Sequence, residues 1–216
     1  MLQCLLLVTA SACSIHDPRA VAAKSRLLSS SKRAAQFLQS KHSLAGYVDD
    51  ALIRLEAAEE LESIAGFFEP ALVQTLLRLD ARQRGRGVQG GVGEIGVYHG
   101  RGFIPLALLR RPGERAVAVD VFEQQQLNQD NSGEGDRLAF ESSLLKWGIT
   151  EVSTLCCDST TLEPSVLRDA AGGPLRLLSV DGSHTAKAAR SDLELAAAVL
   201  TDGGVVLLDD ACNPDW

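Results

Sequence analysis

The sequence predicts an α/β protein with a parallel sheet of about five strands, flanking helices and a helical N-terminal extension. Three observations support this fold class. Short apolar strand patterns alternate with helical patterns between residues 92 and 210. The run RAVAVDVF at 115–122 is nearly all apolar, as expected for a strand buried on both faces of a parallel sheet. A glycine-rich turn, GEIGVYHGRG at 93–102, joins the first strand to the first helix of this alternation, which indicates right-handed βαβ units.

The chain divides into three predicted parts. Residues 1–40 form a leader or disordered appendage, residues 41–85 a helical N-terminal segment, and residues 86–216 the sheet domain. The helical segment is predicted from apolar residues at three- and four-residue spacing, namely Leu52, Leu55, Ile64, Phe67, Phe68, Leu72, Leu76 and Leu79. Strands are expected at 92–97, 115–122, 152–158, 175–182 and 203–210, and helices at 103–110, 136–147, 161–171 and 185–200.

Composition excludes some classes of partner. The net charge of -7 argues against a nucleic-acid-binding surface, which would be basic. No apolar run reaches the length of about 18 residues needed to span a membrane. The cysteines lack metal-ligand spacing, which indicates a reduced compartment. Cys156 and Cys157 are expected to be buried and to pack as small apolar side chains. We therefore expect a cytoplasmic protein that acts on a small molecule, with organellar targeting by residues 1–40 as an alternative.

Acidic residues recur where the predicted strands end. Ligands of open parallel sheets bind outside the carboxyl ends of the strands, so these positions are informative. Each predicted strand reaches a carboxylate or a glycine turn there: Glu94 with Gly96, then Asp120, Asp158, Asp181, and the pair Asp209 and Asp210. Because like charges on one rim repel, the pattern predicts a ligand that is cationic or rich in hydrogen-bond donors.

The glycine turn narrows the choice of ligand. Asp120 follows it by about 20–25 residues, the spacing at which a carboxylate binds ribose hydroxyls, and this alone would fit NAD. The turn lacks the second glycine of a dinucleotide fingerprint, and no phosphate-binding loop of the nucleoside triphosphate type is present. Glu94 suits a cation, and S-adenosylmethionine carries a ribose, a sulfonium and an ammonium without phosphate. A nucleotide-binding protein without methyl transfer stays the alternative.

The motifs resemble a known family. GEIGVYHGRG is similar to the first motif of class I S-adenosylmethionine-dependent methyltransferases, and VAVDVF to the motif that follows it. The segment VDGSHTAKAARSDLELAAAVLTDGGVVLLDDACNPDW resembles the methyltransferase-24 group, related to macrolide-sugar and aminocoumarin-sugar O-methyltransferases. The resemblance covers roughly residues 45–216. It implies a Rossmann-like fold and metal-assisted O-methylation of a small hydroxylated acceptor.

The resemblance also implies roles for individual residues. Cofactor contacts are implied for Glu94, Gly96, Gly100, Asp120, Asp158, Ser159 and Asp181, and magnesium ligation for Asp181, Asp209 and Asp210. His184 and Asp181 are the implied catalytic residues. In some relatives an aspartate two residues after the first metal ligand acts as the general base. This chain has Ser183 at that position, so the resemblance implies that either His184 or the metal activates the acceptor. His99 is expected to line the pocket.

The C-terminal end departs from the family pattern. The methyltransferase fold adds two further strands after the fifth, whereas this sequence ends at Trp216. We therefore expect a fragment lacking those strands, which would transfer methyl groups weakly or, as an alternative, would be inactive. Strand 203–210 would then present an unpaired edge, through which copies of the chain would associate unless another chain covers it.

Overall fold

The computed structural model describes residues 5–8, 61–66, 70–128 and 130–211. Its strands are β1 (Leu5–Val8), β2 (Gly91–Ile95), β3 (Ala116–Asp120), β4 (Val152–Cys156), β5 (Leu175–Val180) and β6 (Leu200–Leu208). Its helices are α1 (Pro70–Gly85), α2 (Phe103–Leu108), α3 (Arg137–Lys146), α4 (Pro164–Ala170) and α5 (Ala186–Val199). Two 3-10 turns cover Gln125–Leu127 and Ser159–Thr161.

The strands form one parallel sheet in the order β1-β6-β5-β2-β3-β4. From β2 the chain moves outward to β3 and β4, and then returns to β5 on the other side of β2. The strand order therefore reverses between β2 and β5. A crevice forms at such a point because the connections leave in opposite directions, and this is where open α/β sheets bind ligands.

Two apolar layers cover the sheet, as the apolar strand patterns predict. On β3, Ala116 and Ala118 contribute to one layer, while Val117 and Val119 contribute to the other. The small alanines face bulky side chains. Their layer includes Phe103 of α2, Phe140 and Leu144 of α3, and Trp147, which follows α3. The valines share their layer with Leu167 of α4 and with Leu195, Ala196 and Val199 of α5. The sheet is thus buried on both faces, as a parallel sheet requires.

The Rossmann-like α/β fold and the five predicted strands are confirmed, with shifts at some ends. Strand β6 begins at Leu200, because Leu200 pairs with Leu175 ahead of a register irregularity and Gly203 turns the chain at φ 77°. Helix α4 begins only at Pro164 because the preceding residues form a 3-10 turn. Helix α1 buries Leu76 and Leu79 as expected. The predicted apolar positions Leu52, Leu55, Phe67 and Phe68 lie outside the described residues.

The expectation of an unpaired edge along the last strand is wrong. Backbone groups of Leu5–Val8 pair with Val205–Leu208 in parallel register, so β1 occupies the edge position beside β6. A four-residue strand within the predicted leader thereby pairs with backbone groups that would otherwise face solvent. Association of copies through that edge of β6 loses its structural basis.

A buried ion network joins the amino-terminal end of the sheet to α1. Arg176 on β5 has 0% side-chain exposure, and its Nε lies 3.0 Å from both carboxylate oxygens of Glu114. Its Nη1 lies 3.1 Å from Asp80 Oδ1 and 3.0 Å from Gln83 Oε1, both on α1. Its Nη2 donates to the carbonyl of Leu109 at 2.7 Å. Four of its neighbours are therefore held by one guanidinium.

Two further expectations concern the surroundings of the protein. Among the described residues, no helix has both the length and the apolar character needed to cross a membrane. Cys156 and Cys157 are free, half-buried thiols, and burial raises the pKa of each. A raised thiol pKa disfavours the reactive thiolate, in keeping with the predicted apolar role.

Candidate functional site

A cavity of about 430 Å³ opens at the carboxyl ends of the strands, around the turn that follows β2. The fold brings nearly all of the predicted site residues to this one cavity: it is lined by Glu94, Gly96, Asp120, Asp158, Ser159, Asp181, His184, Asp209 and Asp210. Gly100 is the exception. A Cβ there would lie 2.9 Å from Phe140 Cδ2, which places Gly100 against the core rather than the cavity.

The turn after β2 requires glycine because two strand ends approach each other there. Gly96 has φ 83°, and a Cβ on it would lie 1.9 Å from the carbonyl oxygen of Asp181. Gly102 fulfils a related need, since a Cβ there would lie 2.8 Å from Glu94 Oε1. The missing side chains therefore let β2 close against β5 and let the Glu94 carboxylate lie beneath the turn.

Glu94 is a buried acid with unused hydrogen-bonding capacity. Its side chain lies at the end of β2 with 4% exposure, and its Oε2 has no hydrogen-bond partner. Burial, followed by the charges of Asp209 and Asp120, raises the pKa of Glu94 to about 8, although a hydrogen bond from Ser179 opposes the shift. A buried carboxyl of this kind gains most from a ligand that brings a positive charge.

Asp120 holds the backbone on both sides of the site. Its Oδ2 accepts from the Tyr98 N–H at 2.8 Å and its Oδ1 from the Phe122 N–H at 2.7 Å. Burial raises the pKa of Asp120, and these backbone hydrogen bonds oppose that shift. Asp158 also binds backbone, since its Oδ1 accepts from Thr160 N at 2.9 Å and caps the 3-10 turn. Both carboxylates thus shape the cavity as well as lining it.

The three carboxylates expected to bind magnesium engage different partners. Burial, followed by the charge of Asp209, raises the pKa of Asp181 well above its usual range, and Asp181 also shares a hydrogen bond with Asp209. Asp210 Oδ2 instead lies 3.3 Å from His184 Nε2. Within the described ranges, no group of three or more His, Cys, Asp or Glu side chains is arranged to hold a metal ion. In this arrangement Asp181, Asp209 and Asp210 do not converge on one metal position.

His184 lies between two carboxylates. Its Nδ1 is 3.2 Å from Asp130 Oδ2, and its Nε2 is 3.3 Å from Asp210 Oδ2. Asp130 Oδ2 also accepts from the backbone N–H of His184 and from the Ser183 hydroxyl, the latter at 3.0 Å. Burial opposes ionisation of Asp130, but hydrogen bonds from Ser132, His184 and Ser183 together lower its pKa to about 2. With a carboxylate beside each ring nitrogen, the orientation of the His184 imidazole is fixed from both sides.

Asp130 was not among the predicted site residues, and His99 does not line the cavity as predicted. Asp130 lies in a loop between β3 and α3, and only turn-forming neighbours, QDNSGEG, mark that loop in the sequence. Its partner His184 is 54 residues away, so no local spacing connects them. The described lining of the cavity includes Tyr98 but not His99. The His99 ring stacks on Tyr98 with centroids 3.9 Å apart, so His99 supports the residue that lines the cavity.

Comparisons with known proteins agree with this architecture. The family model described as a methyltransferase domain, Methyltransf_24, matches residues 94–211. A search of the curated proteins finds no match. Among solved structures, the O-methyltransferase NovP is similar with a TM-score of 0.56 and 14% identity, covering 68% of each chain. CalS11, described as a TDP-rhamnose 3'-O-methyltransferase of calicheamicin biosynthesis, has a TM-score of 0.50 and 20% identity, covering 87% of this chain and 80% of its own. These likenesses show a shared fold.

Proposed function

Because the chain belongs to the Methyltransf_24 family of methyltransferase domains, we propose that it transfers a methyl group from S-adenosylmethionine to a hydroxyl of a small acceptor. One observation carries the proposal: the strand-end carboxylates and the glycine turn line a single cavity at the point where the strand order reverses. A nucleotide-binding protein without methyl transfer is not favoured, since the family is one of methyltransferases.

The cavity residues fit the chemical groups of this cofactor. The buried Glu94 carboxylate, with its unpartnered Oε2, would bind the ammonium group. Asp120 would accept hydrogen bonds from the ribose hydroxyls in addition to those from the Tyr98 and Phe122 N–H groups. Asp158 and Ser159, which begin the 3-10 turn after β4, would lie at the adenine. When bound, the cofactor supplies an electrophilic methyl group on its sulfonium.

His184 is the residue that we propose removes a proton from the acceptor. Asp130 orients the ring through Nδ1, so Nε2 is the atom that would accept the hydroxyl proton. Asp210, 3.3 Å from Nε2, would stabilise the resulting imidazolium. Asp181 lines the same cavity, where burial and the charge of Asp209 raise the pKa of its carboxyl.

The acceptor would enter beside the loop that carries Asp130. Tyr98, Asn128, Ser132 and Gly133 line this part of the cavity together with Ala65. A mixture of an aromatic ring, an amide and a hydroxyl suits a small molecule with several hydroxyl groups. The acceptor class is therefore a small hydroxylated compound.

Magnesium assistance stays a prediction from the sequence, and the roles proposed for Glu94, Asp120 and His184 do not depend on it. Turnover that is lost in EDTA and restored by magnesium would support it. Full turnover in EDTA would assign Asp181, Asp209 and Asp210 to cofactor binding and to the orientation of His184.

The first prediction concerns cofactor binding. Isothermal titration with S-adenosylhomocysteine should show binding to the wild type, and Asp120→Ala should weaken it by about 1.5–3 kcal/mol through loss of charge-assisted hydrogen bonds. Asp169→Ala is the matched control, because Asp169 is an exposed aspartate on α4 away from the cavity. Tight binding of NAD with no response to S-adenosylhomocysteine would contradict the proposed function.

The second prediction concerns the chemical step. With an acceptor found by screening small polyols and phenols, His184→Ala should lower kcat by about 10²–10⁴-fold, the usual contribution of a general base. Its affinity for S-adenosylhomocysteine should be unchanged. Asp130→Asn should give a smaller loss in kcat, because it weakens the orientation of the ring without removing it. An unchanged kcat in His184→Ala would exclude this histidine as the base.

A further inference from the structure

The cavity is lined by many carboxylates but, among the described residues, by a single arginine or lysine. That residue is Arg101, which lies in the glycine turn between Gly100 and Gly102. A guanidinium keeps its charge throughout the physiological pH range. Arg101 forms no ion pair within the described chain, since no carboxylate there lies within 4.0 Å of its guanidinium.

The contacts of Arg101 hold the side chain in place and leave donors available. Its Nη1 donates to the carbonyl of Gly66 at 2.7 Å. Its stem lies against Gly66, where a Cβ would be 3.3 Å from Arg101 Cβ. Its Nε is buried and has no hydrogen-bond partner. A buried donor without a partner is costly, and a ligand acceptor at this point would remove that cost.

A carboxyl group and a guanidinium flank the same glycine turn. Glu94 lies beneath Gly102, with Oε1 close to the position a Cβ would take, and Arg101 is the residue before that glycine. Both side chains line the cavity. A carboxyl that ionises when a cation binds beside it and a permanently charged guanidinium together complement a group with an ammonium and a carboxylate on the same carbon, which is the amino-acid end of a ligand.

We propose that Arg101 binds a carboxylate, and that this carboxylate belongs to the amino-acid end of the cofactor. The inference rests on the proposed function, because S-adenosylmethionine is the ligand that brings this group. Glu94 and Arg101 then bind the two ends of one zwitterion, and Gly66 positions the arginine through its carbonyl.

Two ligands separate this assignment from a general effect on the cavity. S-adenosylhomocysteine carries the amino-acid end, whereas 5'-methylthioadenosine has the same nucleoside and thioether without it. Arg101→Met, which keeps an unbranched apolar stem, should weaken S-adenosylhomocysteine about 10- to 100-fold, the range for loss of a charge-assisted hydrogen bond. Affinity for 5'-methylthioadenosine should not change. Arg101→Lys should recover part of the loss, because it restores the charge without the planar fork.

Calorimetric titration of both ligands into the wild type, the two variants and the exposed control Arg168→Met distinguishes the outcomes. An equal loss for both ligands would mean that Arg101 shapes the turn rather than binding a carboxylate, and would overturn the inference. No loss for either ligand would also overturn it, with the proposed function intact. A wild type that binds neither ligand would refute the proposed function and the inference with it.

Discussion

Glu94→Gln is expected to stabilise the ligand-free protein at pH 8 while weakening cofactor binding. Glu94 is buried, and burial with the charges of Asp209 and Asp120 raises its pKa to about 8 from 4.5. A carboxyl whose pKa is higher in the folded state contributes stability that is complete below pH 4.5 and is lost as the pH rises through about 8. Glutamine has nearly the same shape and does not titrate, so it avoids this loss.

The expected difference therefore grows with pH. Urea denaturation should show nearly equal free energies of unfolding for wild type and Glu94→Gln at pH 5, and at pH 8 an advantage for the variant on the order of 2–4 kcal/mol. Glu163→Gln, at an exposed position before α4, is the control and should show no such trend. A variant that is less stable than the wild type at pH 8 would show that the carboxyl of Glu94 is needed for folding.

The Glu94 carboxyl, which is expected to lower stability at pH 8, should increase the affinity for the cofactor. A bound ammonium favours ionised Glu94, so binding of S-adenosylhomocysteine at pH 7 should release a proton. Calorimetry in buffers of different ionisation enthalpy measures that release. Glu94→Gln should abolish it and weaken binding, so the acid that lowers stability is the one that recognises the cation.

Arg176→Met is expected to lower the free energy of unfolding by about 3 kcal/mol, because removing one partner of a buried ion network leaves the other charges uncompensated. Glu114 would lose both contacts to the guanidinium Nε. The loss should fall at the lower end of the usual range, since Asp80 keeps its ion pairs with Arg84 and Arg111. Methionine fills similar volume, so a cavity contributes little.

Denaturant unfolding of Arg176→Met beside Arg190→Met measures this loss. Arg190 is 82% exposed and pairs with Glu194 one turn along α5, so its replacement should change stability by no more than about 0.5 kcal/mol. Equal effects for the two variants would show that the buried network contributes no more than a surface pair. Because Arg176 lies at the amino-terminal end of β5, cofactor affinity should be unchanged in folded protein.

Local patterns in the sequence were enough for the sheet domain. The alternation of short apolar runs with helical spacing predicted all five strands from β2 to β6, because burial on both faces leaves a nearly continuous apolar run such as 116–119. The same reasoning placed the acids at strand ends, and the rule that parallel strands share a carboxyl edge brought Glu94, Asp120 and Asp181 together.

Contacts between distant residues could not be predicted in this way. Arg176 lies in an apolar strand pattern, and nothing local shows that α1 and the loop before β3 supply its partners. The pairing of Leu5–Val8 with β6 joins segments about 200 residues apart. Asp130 reaches His184 only because the loop after β3 folds back over the turn after β5.

The sequence by itself determined the fold class, the edge of the sheet at which the site lies and the acidic character of that site. Each follows from periodicity within one element or from a general rule of parallel sheets. The tertiary structure alone decided which side chains meet: Asp209 contacts Asp181, and Asp210 contacts His184. As a result, these carboxylates of the described chain do not converge on one metal position. Hydrogen bonds and metal coordination depend on distances that differ by a few tenths of an ångström. Side-chain packing sets these distances, and the spacing of residues along the sequence does not.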